Sequence, residues 1–278
     1  MKRLSPCAFT LFAIVLTGVT AAAQEDAQAL VAKMVHNELN AGSQKIYWMY
    51  TDSKRDGNKT EVARVIETPE CWLTWPVSVS GADASGSKGQ ERAKFEQMVS
   101  NPAACQKQRA EVNEDDHKAD ALLKILPDAF LYTVKGHQDG KVLLTFRPNP
   151  KFTPGTREAK VFHNMAGTLT VDEKETRLAG LDGTLISDVT FGMGVLAKLH
   201  KGGTFKVVQS EIAPHDWELT LLDVHINGRA LFFKTISEQQ HETKSDFQRV
   251  PSGISLAEAA AMVEKDNSST SASAQHTQ

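Results

Sequence analysis

The chain has 278 residues, 41% of them hydrophobic, and a formal net charge of −3. Its 31 basic residues are scattered among 34 acidic ones, whereas nucleic-acid binding needs a concentrated basic face. We therefore expect no nucleic-acid partner. The length accommodates one large domain or two small ones, and the apolar fraction is enough for a sizeable core.

The first 23 residues have the composition of an export signal. Lys2 and Arg3 precede an apolar run over Cys7–Val19, and Ala21 and Ala23 are the small residues of a cleavage site. The run is shorter than the roughly 20 residues of a membrane span, so we predict cleavage near Ala23 and a soluble periplasmic or secreted protein. Loss of two basic residues leaves 29 against 34 acidic ones, a net charge of −5.

Two cysteines remain after this cleavage, Cys71 and Cys105. In an oxidising compartment an even pair most simply forms a disulfide, and two buried thiols are the alternative. On the chain-entropy model the bridge would contribute about 4 kcal/mol. Neither cysteine has a second one at metal-ligand spacing, so no metal is expected there.

The mature chain begins with a predicted helix, "QEDAQALVAKMVHNELNAG", whose apolar residues recur at three- and four-residue steps. Strands follow in "KIYWMYT", "TEVARVIETPE" and "CWLTWPV", the first two joined by a hairpin at Asp56-Gly57. The segment 86–126 is charged and favours helix. We predict two helices there, with a break at Asn101-Pro102 and an end at Pro127.

From Asp128 to Arg249 the sequence predicts strands separated by short polar turns such as Asn227-Gly228. Consecutive strands with tight turns indicate an antiparallel arrangement. A short helix begins at Ser255, and the residues beyond Lys265 are expected to form a disordered tail.

These elements predict an α+β fold. A large curled antiparallel sheet, an incomplete barrel, would wrap on the N-terminal helix and the helical insert. The predicted division is a signal peptide at 1–23, a single domain at 24–251 that contains the insert 86–126, and a helix with a tail at 252–278.

The glycine-rich segment "FGMGVLAKLHKGGTF" at 191–205 could be taken for a phosphate-binding loop. A P-loop is excluded because Gly202-Gly203 is followed by threonine with no lysine between. Gly192, Gly194 and Ala197 have the spacing of a dinucleotide fingerprint, but only about two helical turns fit before the next glycines. We predict that these glycines let the chain leave one strand and enter another, and we expect no cofactor.

The candidate catalytic pair is His215 with Asp216, in "PHDW". The pair stands in a predicted turn, where Pro and Asp are common for conformational reasons, so a purely structural role is the alternative. His163 falls within a predicted strand at 159–172. The sequence contains no H-E-x-x-H motif and no G-x-S-x-G elbow, so we assign neither a catalytic residue nor a metal ligand.

Several strands carry bulky apolar residues on both faces, among them "IYWMY", "CWLTW", "KVLLTF" and "ALFFK". A strand with one wet face would alternate instead. Either a second layer covers the additional face, or the curled sheet holds an apolar ligand; both remain open. The candidate ligand-binding residues are Trp48, Trp72, Phe146, Met165, Phe191, Met193, Leu196, Leu199 and Phe232. Lys198 and Lys201 are the candidates for contact with an anionic headgroup.

The export signal, the first helix, the hairpin "YWMYTDSKRDGNKTEVARVIE" and the later strands together resemble the lipoprotein-carrier superfamily (LolA/LolB-like). The segments "LPDAF", "FRPNP", "AGTLTVDEKETRLAGLDGTL", "VTFGMGVLAKLHKGGTF" and "FFK" are similar to a group of bacterial envelope proteins. The likeness runs from about Gln24 to Pro251.

This resemblance implies an incomplete barrel around helices, with a concave apolar interior that takes acyl chains in carriers. The helical insert and the predicted disulfide depart from the carrier pattern, and no carrier residue is transferred by position. We expect a periplasmic, non-enzymatic binding or carrier protein for lipid or an acylated protein. The alternatives are an envelope scaffold that docks a membrane protein, and a hydrolase that uses His215 and Asp216.

Overall fold

The structure, a computed structural model, describes residues 18–41, 46–81, 84–192, 196–230 and 234–275. Most of the predicted export signal lies outside these ranges. The first helix begins at Gly18, so the predicted cleavage point after Ala23 falls within it. Among the described helices, none is both long and apolar enough to cross a membrane.

The helices include the two predicted for the insert. They are α1 (Gly18–Asn40), α2 (Ala84–Ser100), α3 (Pro102–Ala129), α4 (Arg157–His163) and α5 (Leu256–Gln275). The predicted break between α2 and α3 is confirmed. The side chain of Asn101 caps α3 by accepting a hydrogen bond from the Ala103 N–H at 3.0 Å, and Pro102 takes the first helical position.

The described strands form one antiparallel sheet. They are β1 (Tyr47–Asp56), β2 (Lys59–Glu67), β3 (Trp72–Ser80), β4 (Phe130–Gln138), β5 (Lys141–Pro148), β6 (Met165–Asp172), β7 (Leu178–Leu185), β8 (Val189–Phe191), β9 (Ala197–Leu199), β10 (Thr204–Ala213), β11 (Asp216–Ala230) and β12 (Lys234–Val250). The main order is β3-β2-β1-β12-β11-β10-β7-β6-β5-β4, and β9 pairs with both β8 and β11.

The sheet curls strongly and stays open. Ile212 and Ala213 of β10 pack against Trp48 and Tyr50 of β1, although β11 and β12 stand between these strands in the order. The outermost strands, β3 and β4, lie at opposite ends of that order. The predicted α+β class with an incomplete barrel is confirmed.

Helices α1 and α3 cover the concave face over β4–β7. Residues of both helices are buried with residues of these strands: Val31, Met34, Leu126, Ala129, Phe130, Leu144, Leu169 and Leu181. Polar contacts fix α1 in place, because the side-chain amide of Asn37 donates to the carbonyl oxygens of Glu175 at 3.0 Å and Thr176 at 3.2 Å.

Helices α2 and α5 cover the opposite face of β1–β3. Successive residues of a strand point to opposite faces, so Met49 and Ile66 pack beneath these helices while Trp48 and Val65 face the concave side. Phe95 of α2 meets the ring of Trp75 edge-on, with 4.9 Å between centroids. Strands β1 and β3, two of those with bulky residues on both faces, thus have apolar packing on both sides.

Four local predictions were wrong, three of them at helices. Residues 157–163, of which most were assigned to a strand, form α4, because the Thr156 hydroxyl accepts the Ala159 N–H at 3.0 Å and starts a helix. Pro127 does not end α3; the helix continues to Ala129 because Leu126 and Ala129 are buried in the core. Helix α5 likewise extends to Gln275, well beyond Lys265.

Asn227-Gly228 is not a turn either. Both residues continue β11, where Gly228 pairs with Leu199 on one side and Ile236 on the other. A Cβ at this position would collide with the carbonyl oxygen of Lys198. Glycine is required there because β9 approaches the backbone of β11 closely.

The disulfide Cys71–Cys105 is present, with 5.4 Å between the Cα atoms. It joins the residue before β3 to the first turn of α3, at the edge of the sheet. Next to it the Gln108 amide pairs with Trp72 in both directions, since it accepts the Trp72 N–H at 2.8 Å and donates to its carbonyl at 3.0 Å. Helix α3 is therefore tied to β3 where it passes from one face of the sheet to the other.

Reduction of this disulfide is expected to destabilise the protein. The loop closed between the two cysteines spans a separation of 34 residues, and bridges of this kind contribute about 2 to 4 kcal/mol. Urea unfolding with and without dithiothreitol measures the difference. A variant carrying Cys71→Ser and Cys105→Ser should show the reduced stability and no response to the reductant; equal stability of oxidised and reduced wild type would contradict this.

Candidate functional site

A groove of about 760 Å³ lies between α3, the end of α1 and the concave face of the sheet. Helix α3 forms one wall. Strands β7, β10 and β11 form the facing wall, and β1 with the ends of β2 and β3 closes one side. The groove exists because α1 and α3 pack over β4–β7 and leave β10 and β11 without a covering helix.

The wall of α3 is apolar along one stripe. Ala119, Leu122, Leu123 and Leu126 all line the groove, and their spacing of three, four and seven residues places them on one helix face. Ala119 is exposed and Leu122 is half-buried, whereas Leu126 is fully buried. The apolar stripe therefore runs from the core out to the rim.

The facing wall is apolar in its centre. Phe205 and Val207 of β10 and Leu219 and Leu222 of β11 line it, and all four are half-buried. Val207 pairs with Leu181 of β7 on one side and Leu222 on the other. Their side chains keep apolar surface that the protein itself does not cover.

A paired arginine lies at one end of the groove. The Arg177 guanidinium donates to both carboxylate oxygens of Glu38, at 2.7 and 3.1 Å, and the Leu178 N–H donates to the same carboxylate at 2.7 Å. Both side chains are largely buried. This fork-shaped contact joins the end of α1 to β7 and leaves the arginine charge compensated.

The candidate pair His215 and Asp216 also borders the groove, but His215 is bound elsewhere. Its Nδ1 lies 2.7 Å from Oε1 of Glu175, and Glu175 Oε2 accepts the Trp217 indole N–H at 3.0 Å. Burial raises the pKa of Glu175, but the hydrogen bonds from Trp217 and His215 outweigh it and hold the pKa below its usual value.

This cluster contains the one arrangement in the described residues with donor atoms close enough for a metal ion, on Glu175, Glu211 and His215. Its atoms already have partners within the protein. Lys174 lies 3.4 Å from Glu175 and 3.8 Å from Glu211, and Glu211 accepts the backbone N–H of His215 at 3.0 Å. The arrangement connects the turn before β7 to the β10–β11 turn, which is a structural role.

Carboxyl groups gather around buried Tyr50 on the concave face. Burial raises the pKa of Glu218 to about 7, and the nearby charge of Glu67 adds to the rise. Burial, with help from Glu242, raises the pKa of Asp52 to about 6. Both Glu218 and Glu67 line the groove, so its polar end carries a carboxyl group that is costly to ionise, Glu218, together with the carboxyl group of Glu67.

The structure brings together only part of the predicted ligand-binding set. Trp48 and Trp72 line the groove. Phe146 and Met165 are buried in the core under α1 instead, and Phe191 and Leu199 pack against that core. Met193 and Phe232 lie outside the described residues.

Part of the glycine-rich segment pairs as short strands at the rim of the sheet, and residues 193–195 between them lie outside the described ranges. Strands β8 and β9 pair antiparallel from Val189–Leu199 to Phe191–Ala197, which is the arrangement expected of glycines that serve the backbone. Gly192 has a φ of +56°. Leu196 is 49% exposed. Leu196, Lys198 and Lys201 are not among the residues that line the groove.

The Asp188 carboxylate contacts the side chain of Lys198 and the backbone of Lys201. Lys198 pairs with Asp188 at 2.7 Å, and the backbone N–H of Lys201 donates to the same residue at 2.8 Å. Neither lysine lines the groove. An anionic headgroup at Lys198 and Lys201 would therefore lie outside it.

Sequence reasoning missed most of the groove, although one signal was available. The stripe Ala119, Leu122, Leu123 and Leu126 is visible as a helical period in "ADALLKIL". The acidic end could not be found in this way, since Glu38, Glu67 and Glu218 come from distant segments that only the folded sheet brings together.

Comparisons with protein-family models, with curated proteins and with solved structures found no significant match to this chain.

Stability is expected to depend on the protonation of Glu218. Because its pKa is raised in the folded state, the stability it contributes is full below its ordinary pKa of 4.5 and is lost as the pH rises through about 7. At pH 8 the ionised group costs on the order of 2 kcal/mol. Urea unfolding of Glu218→Gln should therefore give a more stable protein than wild type at pH 8 and an equal one at pH 4.

The exposed Glu238 of β12 supplies the control, since Glu238→Gln should match wild type at both pH values. A residual pH dependence is expected in Glu218→Gln because Asp52 titrates near pH 6. Equal stabilities of wild type and Glu218→Gln at pH 8 would refute the assignment.

Proposed function

We propose that the protein is an exported binding or carrier protein of the cell envelope, and that it holds the apolar chain of a lipid or an acylated protein in the groove. The supporting observation is the groove itself. Its volume of about 760 Å³ lies within the range of about 300 to 1,000 Å³ for ligand sites in proteins.

The exposed apolar surface of the groove favours a guest. Leu122, Leu219 and Leu222 are only half-buried on opposing walls. Each 100 Å² of apolar surface that a bound chain removes from water contributes about 2.5 kcal/mol. A flexible chain can reach along the stripe from the rim at Ala119 to the buried end at Leu126.

Two further features support export and a carrier role. The Cys71–Cys105 disulfide fits an oxidising compartment, where such bonds persist. The open curled sheet with helices on its concave face agrees with what the resemblance to lipoprotein carriers implies, although fold alone does not fix function.

The alternatives receive less support. A docking scaffold would expose a continuous apolar patch, whereas the exposed large apolar residues in the described structure are Val134, Ile186 and Leu196, on separate elements. A hydrolase would need a nucleophile beside His215. Among the described residues, its ring hydrogen-bonds to Glu175 and to no serine or threonine hydroxyl.

The test is to fill the groove from α3. Ala119→Trp places a large side chain at the exposed end of the stripe without disturbing buried packing, and it is expected to weaken the binding of a fluorescent acyl-chain probe at least tenfold. Ala121→Trp is the matched control, because Ala121 is exposed on the same helix and does not line the groove.

Equal probe affinities of the two variants would contradict the proposal, and so would the absence of probe binding to wild type. Native mass spectrometry of the protein purified from its own envelope provides an independent measurement. We expect a bound lipid mass in wild type and its loss in Ala119→Trp.

A further inference from the structure

The groove carries more negative than positive groups on its lining. Five carboxyl side chains line it: Glu38, Glu67, Asp116, Asp216 and Glu218. Among the lining residues the one arginine or lysine is Arg177, and its guanidinium is already engaged in two hydrogen bonds to Glu38. An anionic guest would thus meet carboxylates at the polar end and no uncommitted cation in the lining.

Glu218 is the carboxyl group whose ionised form a positively charged ligand would stabilise most. In the described structure no hydrogen bond reaches its carboxyl group. The charged groups that act on it are Glu67 at the end of β2, Lys244 of β12, Asp216 on its own strand and Arg177 before β7. Burial and the charge of Glu67 raise the pKa of Glu218 to about 7. Lys244 and Arg177 lower this pKa by less, so their charges do not compensate for burial and the neighbouring carboxylates.

Three tryptophans share the groove lining with these carboxyl groups. Trp48, Trp72 and Trp217 all line the same groove, and the backbone N–H of Trp48 donates to Glu67 Oε2 at 3.2 Å. Tryptophan faces attract ammonium groups, and proteins use aromatic rings to recognise quaternary ammonium ligands. Carboxylates attract the same ligands by their opposite charge. The polar end of the groove has both components.

We infer that the guest of the groove is a cationic amphiphile, an apolar chain that ends in an ammonium group, with the chain along the α3 stripe and the ammonium among Glu67, Glu218 and the tryptophans. The inference rests on the proposed function and adds the charge of the cargo. It replaces the expectation of an anionic headgroup at Lys198 and Lys201, which lie outside the groove lining.

Three probes with the same decyl chain separate charge from apolar binding: decyltrimethylammonium, decyl sulfate and decyl maltoside, each titrated calorimetrically below its critical micelle concentration. At pH 8 and low salt we expect decyltrimethylammonium to bind at least tenfold more tightly than decyl sulfate, with decyl maltoside between them. Tetramethylammonium, which lacks the chain, should not bind measurably. Added salt should reduce the preference, because screening weakens charge interactions.

The role of Glu218 is tested by substitution and pH. Wild-type affinity for decyltrimethylammonium should rise between pH 6 and pH 8 as Glu218 ionises. Glu218→Gln should therefore lower the affinity at pH 8 threefold to tenfold, flatten the rise and leave decyl maltoside binding unchanged. Glu238→Gln, outside the groove lining, should behave as wild type.

The outcomes of these experiments distinguish this inference from the proposed function on which it rests. Equal binding of the three decyl probes, or tighter binding of decyl sulfate, would overturn the inference and leave an apolar carrier. Binding of none of them would overturn the proposed function as well. An unchanged affinity of Glu218→Gln for the cation would remove Glu218 from the site.

Discussion

The concave face of the sheet is wider than the two helices that pack against it, and the rest of the structure depends on this mismatch. Helix α1 is fixed to β7 by the Glu38–Arg177 contact. Helix α3 is held at one end by the disulfide and at the other by Leu126 and Ala129 in the core. Because neither helix can move over β10 and β11, the groove is a consequence of fixed positions rather than of loose packing.

The same geometry makes the polar end of the groove energetically unfavourable. The fold brings Glu67, Glu218 and Asp52 towards buried Tyr50, where burial makes Glu218 and Asp52 costly to ionise and the charge of Glu67 adds to the cost at Glu218. Natural proteins keep such costs mainly where function needs them. A bound cation would offset the cost of ionising these carboxyl groups. The groups that destabilise the protein without a ligand would then be the groups that bind the ligand.

Much of the architecture was predictable from local signals. Asp56-Gly57 marks a hairpin, and Asn101-Pro102 marks the boundary between two helices. The two cysteines proved to be bonded. The errors fell where local signals are ambiguous: Thr156 starts a helix within a segment of strand-like residues, and Gly228 continues a strand because β9 lies against it. The site was only partly predictable, since Glu38 and Arg177 are 139 residues apart in the chain.

A crystal structure of the protein with a bromine-labelled decyl chain tests the central claim most directly. The account predicts an anomalous bromine peak between the stripe of α3 and strands β10 and β11, near Leu122 and Leu222, with the helices in the positions described. A groove closed by movement of α3 onto the sheet and filled by the protein's own side chains, with bromine elsewhere or absent, would contradict it.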